Sequence, residues 1–230
     1  MAKLHHFEIT PVLTLFVAGQ ETTAAAITWA IYLLSQAPNW CARIRAESDR
    51  ESGASFEELA DRLTETRAVV EEAMRLYPPI IGLSRVAIQP DELAGRTIER
   101  GTMVVISPWV LHRHRLLWDD PDLFDPSRFL RGAQRTIERH AYLPFGVGPR
   151  MCIGAAFALQ EATITLATIT RNFTLRLAPG QSVWPRQTMT LRPRDGLRMV
   201  VRRRGRDPSV RRSPTAGTIE RHRGGTPLSD

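Results

Sequence analysis

One phrase constrains this chain more than any other: Pro144-Phe145-Gly146-Val147-Gly148-Pro149-Arg150-Met151-Cys152-Ile153-Gly154 sets a single cysteine on a glycine-rich loop just before an alanine-rich, helix-like stretch. Gly146, Gly148 and Gly154 permit tight or positive-φ backbone, so the main chain can come close to a flat cofactor. A cysteine directly ahead of a helix and near Arg150 is favoured as thiolate, the form that binds metals. Taken alone, such a cysteine is better read as a small buried hydrophobe, and it is the whole phrase that favours the ligand. A dinucleotide-binding loop fails on spacing, because the third glycine falls at Gly154 instead of Met151.

Far upstream, an apolar run from about Ile9 to Ala37 carries Glu21 as its only charge and predicts a long helix. Inside it lies Ala18-Gly19-Gln20-Glu21-Thr22-Thr23. Glycine within a helix costs about 1 kcal/mol relative to alanine, so Gly19 asks for a reason. Ala18 and Gly19 leave room beside the helix, and a threonine hydroxyl can take over a backbone carbonyl and open the ladder locally. A packing notch beside a solvated glutamate accounts for the same letters.

A third phrase, Glu72-Ala73-Met74-Arg75, puts an acid and a base on one helical face, and Pro78-Pro79 ends that helix just after Leu76 or Tyr77. Exposed pairs of this kind contribute about 0–1 kcal/mol, so the spacing by itself says little. Downstream stands Pro126-Ser127-Arg128-Phe129, and between the two the text from Ile80 to Val86 reads as a turn entering a strand with Arg85 on it.

In this order the phrases resemble the cytochrome P450 family, the haem-thiolate monooxygenases, whose cysteine loop reads F-G-x-G-x-R-x-C-x-G; every fixed letter is present. The resemblance implies that Cys152 is the axial ligand to the iron of haem b, on a loop shaped by Phe145, Gly146, Gly148 and Gly154. It makes Arg150 and Arg85 donors to the haem propionates. It marks Ala18 and Gly19 as the oxygen-binding groove, Thr22 as the hydroxyl that steadies dioxygen, and Glu21 as the acid that relays protons. Glu72, Arg75 and Arg128 become a buried structural triad.

The implied fold is mainly α with minor β: the C-terminal half of a cytochrome P450-like haem domain over residues 1–204, built on a long central helix, the cysteine loop and the helix after it. Residues 205–230, rich in Arg, Gly, Pro, Ser and Thr, are expected to be a disordered tail. The resemblance covers about residues 7–204 and starts at the central helix, so the stripe Val12, Leu15, Phe16, Ile27, Ile31 and Leu34 is expected to lie partly uncovered. The implied reaction inserts one oxygen atom from dioxygen into a small organic substrate. No nucleotide or flavin fingerprint occurs, so a ferredoxin- or flavodoxin-like donor would supply the electrons. Arg131, Arg135 and Arg139 could form its basic docking face, though a solvated charge run explains them slightly better. Two other readings stand: an inactive truncated remnant, and a haem-thiolate isomerase or dehydratase, against which the Glu21-Thr22 pair argues.

Composition excludes several classes. The net charge of +7 is mostly local, since residues 202–230 carry eight arginines against Asp207, Glu220 and Asp230. With no aromatic residue among those arginines, specific nucleic-acid binding is not expected. Two cysteines far apart form no disulfide framework, and a thiolate ligand suits a reducing compartment, so the cytoplasm is the expected location. The apolar run after Thr22 reaches only about Leu34, too short for a membrane span. His112 and His114 lack ligand-spaced partners and read as surface or irregular-chain residues; Cys41 reads as a half-buried bystander. Further helices are predicted at 39–51, 56–62 with Ser55 as N-cap, and 153–171. Strands are predicted at 83–88, 97–98, 103–106, 173–177 and 197–201, with irregular chain over 119–140.

Overall fold

The computed structural model describes residues 6–51 and 53–205. Its longest helix, α1 (His6–Gln36), buries one face of its second half, where Ala25, Ala26, Trp29, Ala30, Leu33 and Leu34 recur at helical spacing. Proline at the first position starts α2 (Pro38–Arg50), where its missing N–H is no loss. The expected Ser55 cap opens α3 (Phe56–Arg62) as a reciprocal capping box: Ser55 Oγ accepts from the Glu58 N–H while Glu58 accepts from the Ser55 N–H.

The most enclosed helix is α4 (Thr64–Leu76), in which Thr66 and every residue from Ala68 to Leu76 are buried. Leu63, just before it, offers no capping side chain. Glu47 of α2 does the work from across the core. Its carboxylate accepts from the N–H groups of Glu65 (2.7 Å) and Thr66 (2.9 Å) and from the Thr66 hydroxyl (2.7 Å). Orphan donors and the positive end of the helix dipole thereby hold a charge that is only 2% exposed. The helix stops at Leu76, ahead of the two prolines, as the sequence predicts.

The core forms where α1, α2 and α4 meet the later helix α6 (Ala155–Asn172). Ala26, Ala30 and Leu33 pack with Ile44, Val69, Val70, Ala73, Met74, Leu159 and Leu166. Short β1 (Leu83–Val86), β2 (Asp91–Leu93), β3 (Arg96–Ile98) and β4 (Met103–Ile106) pair antiparallel as β1 with β4 and β2 with β3. After the single-turn α5 (Pro108–Leu111), the chain from 119 to 140 is irregular apart from short 3₁₀ turns, among them Pro126–Phe129. Behind α6, β5 (Phe173–Leu177) pairs with β8 (Met199–Arg203), and β6 (Pro185–Gln187) with β7 (Leu191–Pro193).

The differences from expectation have local causes. Asp91 and Glu92 hide β2 from a propensity reading, yet Ala94 and Gly95 at φ 51° and 74° close a two-residue turn that forces the pairing. Pro185 hides β6, a strand paired on one side only. The stripe on α1 is partly uncovered, as expected, and the exposed part is its first half. Val12 (68%) and Phe16 (64%) are exposed with Leu15, but Leu34 is buried and Ile27 and Ile31 pack against the core. The predicted tail lies, from residue 206 onward, outside the described residues. Among the described residues no helix is long and apolar enough to cross a membrane.

Candidate functional site

The loop carrying Cys152 is built by its glycines. Gly146 and Gly148 both sit at φ 74°, a region that costs side-chain-bearing residues energy. Gly154 differs from expectation: its φ is −89°, and it serves as the N-cap of α6 instead of a left-handed hinge. A Cβ there would lie 4.0 Å from Cys152 Sγ, an ordinary contact. The Cys152 N–H donates to the Phe145 carbonyl (2.9 Å), folding the loop back on itself. Phe145 is half-buried against the main core, which anchors the loop's first end, while Cys152 is exposed.

The same loop meets the strand bearing Arg85. A Cβ on Gly146 would lie 3.8 Å from Leu83 Cδ1, and Leu83 and Arg85 share one face of β1 by alternation. Arg85 is exposed and, among the described residues, donates only to the neighbouring Ser84 carbonyl (2.7 Å). Arg150 is exposed too and makes no side-chain hydrogen bond among the described residues. Both guanidinium groups are thus available to an anion.

On α1, Ala18 and Gly19 lie on an exposed stretch, and nothing stands within 4 Å of a Cβ placed on Gly19. The Thr22 hydroxyl donates to the Ala18 carbonyl (2.8 Å), the backbone competition its position suggested. Glu21 is half-buried, and its Oε1 accepts from the Thr190 hydroxyl (2.7 Å). Sequence reasoning missed Thr190, because the loop between β6 and β7 carries no pattern that ties it to a helix so far away in the chain.

The triad is realised and is larger than expected. Glu72 and Arg75 are fully buried and joined by two bonds, Nε to Oε2 (2.7 Å) and Nη2 to Oε1 (2.8 Å). The remaining Arg75 donors reach the carbonyls of His112 (2.8 Å), Pro121 (2.6 Å) and Leu123 (2.9 Å), and Glu72 Oε1 also accepts from the Asp125 N–H (2.9 Å). Burial pushes the Glu72 carboxyl up, and the bond from Arg75 opposes it. Arg128 pairs with Glu72 only at 3.8 Å and donates instead to the Asp120 carbonyl (3.2 Å).

His112 is a correction. Read from sequence as a surface or irregular-chain residue, it is fully buried. The Leu143 N–H donates to its Nε2 (2.8 Å), so the proton sits on Nδ1, which faces the Arg75 carbonyl at 3.2 Å. The neutral ring therefore bridges α4 to the chain entering the cysteine loop. Burial lowers its pKa to about 4. The ordinary unfolded value is about 6.5, so the unfolded chain takes up the proton first. Stability from the neutral ring is then complete above about pH 6.5 and is lost as pH falls toward 4, by about 3 kcal/mol. Urea midpoints at pH 7 and pH 4.5 should fall further for the wild type than for His112→Asn; equal losses would contradict the assignment.

Among the described residues no three His, Cys, Asp or Glu side chains come together as a metal cage. A single exposed cysteine suits a metal whose other ligands come from its own cofactor. Positive-φ glycines beside that cysteine and two exposed arginines fit a flat, dianionic, iron-bearing group such as haem.

Comparison with known proteins agrees. A family model described as cytochrome P450 matches residues 3–200. The chain is 43% identical over 182 residues to cyclooctatin synthase of Streptomyces melanosporofaciens, covering 78% of this chain and 40% of that protein. It is 41% identical over 175 residues to cyclooctat-9-en-7-ol 5-monooxygenase of the same organism, covering 75% and 38%. The crystal structure of the cytochrome P450DA heme domain superposes with a TM-score of 0.79 at 33% identity, over 84% of this chain and 44% of that one. The chain thus spans about two-fifths of the length of the curated relatives it matches.

Proposed function

The chain belongs to the cytochrome P450 family, whose members bind haem through a cysteine thiolate, and from that premise we propose that it forms the thiolate-bearing side of a haem monooxygenase acting on a small organic substrate. The cysteine loop carries this reading: Cys152 exposed on a loop with two positive-φ glycines, fixed to the core through Phe145. Haem, when bound, supplies the activation of dioxygen, consuming two electrons and two protons for each oxygen atom inserted while the other oxygen leaves as water.

The chain's own residues do the rest. The Cys152 sulfur donates electron density as a ligand, while Gly146 and Gly148 let the backbone approach a ring face. Arg150 and Arg85 neutralise the two propionates. Thr22, whose hydroxyl donates to the Ala18 carbonyl in this structure, would supply the hydroxyl that steadies dioxygen, and Glu21 the acid that passes protons to it. Electrons come from a separate ferredoxin- or flavodoxin-like protein. Arg131 and Arg139 are exposed on the approach to the cysteine loop and suit an acidic partner; the side chain of Arg135 lies outside the described residues.

Thr22→Ala tests the proton path in the haem-loaded protein. Haem content should stay at the wild-type level while peroxide released per electron consumed rises by roughly tenfold, less than the roughly 10²–10⁴-fold that a positioned proton donor can contribute. A peroxide yield equal to the wild type's would remove Thr22 from the mechanism.

A further inference from the structure

We propose that Thr190 is a positioning residue for the Glu21 carboxylate, holding it in the orientation that proton delivery needs; the proposal rests on the reading of Glu21 and Thr22 given above. Thr190 is 1% exposed and lies between β6 and β7. Its hydroxyl donates to Glu21 Oε1 at 2.7 Å across 169 positions of sequence. Among the described residues Glu21 makes no other side-chain hydrogen bond, and its second oxygen, Oε2, has no protein partner. One oxygen is therefore pinned and the other is left free to exchange protons.

The loop presenting that hydroxyl is itself tightly fixed. The Leu191 N–H donates to the Pro79 carbonyl (2.9 Å), and Trp29 Nε1 donates to the Leu191 carbonyl (2.8 Å). The Thr190 carbonyl accepts from the Thr188 N–H (3.1 Å). Trp29 in turn stacks on Tyr77 with centroids 3.9 Å apart and planes 7° from parallel. Trp29 stands two turns beyond Glu21 on the same helix, so one element carries both the carboxylate and the anchor of its latch. A half-buried glutamate without such a bond would spread over several rotamers, since it has three rotatable bonds. A hydroxyl donating to a carboxylate is among the stronger side-chain hydrogen bonds, enough to select one.

The test compares Thr190→Val, Thr190→Ser, Glu21→Gln and the Val/Gln double variant in the haem-loaded protein, with dioxygen alone as co-substrate. Peroxide released per electron and the solvent deuterium isotope effect on reductant consumption are read at matched haem content. Thr190→Val should raise the peroxide yield about threefold to tenfold and increase the isotope effect, and Thr190→Ser should restore both. On the Glu21→Gln background, Thr190→Val should add nothing. The carboxyl ¹³C resonance of Glu21 should shift in Thr190→Val and return in Thr190→Ser. If the valine variant does not fold, Thr190→Ala takes its place under the same expectations. Wild-type behaviour of Thr190→Val, or effects that add to those of Glu21→Gln, would overturn the positioning role while leaving Glu21 in place. Wild-type behaviour of Glu21→Gln would remove Glu21 from proton delivery and this proposal with it.

Discussion

Arg75→Ala should cost about 3–5 kcal/mol, because it removes the partner of a fully buried carboxylate and leaves Glu72 as an uncompensated charge. The loss exceeds that of an ordinary ion pair for a geometric reason. Arg75 donates twice to Glu72 and once each to the carbonyls of His112, Pro121 and Leu123, so one side chain fastens the irregular segment to α4. Three carbonyls, that of His112 buried and those of Pro121 and Leu123 partly so, lose their donor at the same moment. Set against a net domain stability of about 5–15 kcal/mol, that is a large fraction. Arg75→Lys should fall nearly as far, since a single ammonium cannot reproduce the planar fork. Arg128→Ala should cost clearly less, because its guanidinium stands 3.8 Å from Glu72 and its side chain is 15% exposed. Urea unfolding of the haem-loaded protein measures all three. An Arg75→Ala midpoint within about 1 kcal/mol of the wild type would show that the network does not hold this segment.

The parts of the fold that sequence made legible are those decided by local chemistry. Ser55 with Glu58 marks a capping box, Pro78-Pro79 marks the end of α4, and the apolar periodicity around α1 marks its length. The cysteine loop was legible for the same reason: Gly146 and Gly148 stand where the backbone adopts positive φ. What stayed hidden depends on partners distant in the chain. Glu47 looks like any surface acid of an amphipathic helix until α4 presents its bare N–H groups to it. His112 has no ligand-spaced neighbour, and only the approach of Leu143 and Arg75 explains a buried neutral imidazole. Thr190 reaches Glu21 because Trp29 and Pro79 hold its loop, a relation no local pattern encodes.

The stripe on α1 was expected to be exposed in part, and the structure shows which part: the first half, where Val12, Leu13, Leu15, Phe16 and Val17 all face outward. Past Thr22 the helix meets α4 and α6, and Ile27 and Ile31 gain cover from them. Helical periodicity shows which residues share a face, while the number of neighbours along a helix is a tertiary fact.

The central claim is that Cys152 is the sulfur ligand of haem iron, and the spectrum of the reduced, carbon monoxide-treated protein tests it most directly. A thiolate opposite carbon monoxide gives the far red-shifted Soret band expected of sulfur ligation, because the anionic sulfur pushes electron density onto the metal. The wild type should show that band. Cys152→His should retain haem, held by imidazole and by Arg85 and Arg150, and should show instead the shorter-wavelength band of a nitrogen-ligated haem. Cys41 cannot substitute: it is half-buried and lies on the far helix α2, where burial raises its thiol pKa and disfavours the thiolate. An unchanged thiolate-type band in Cys152→His would contradict the account.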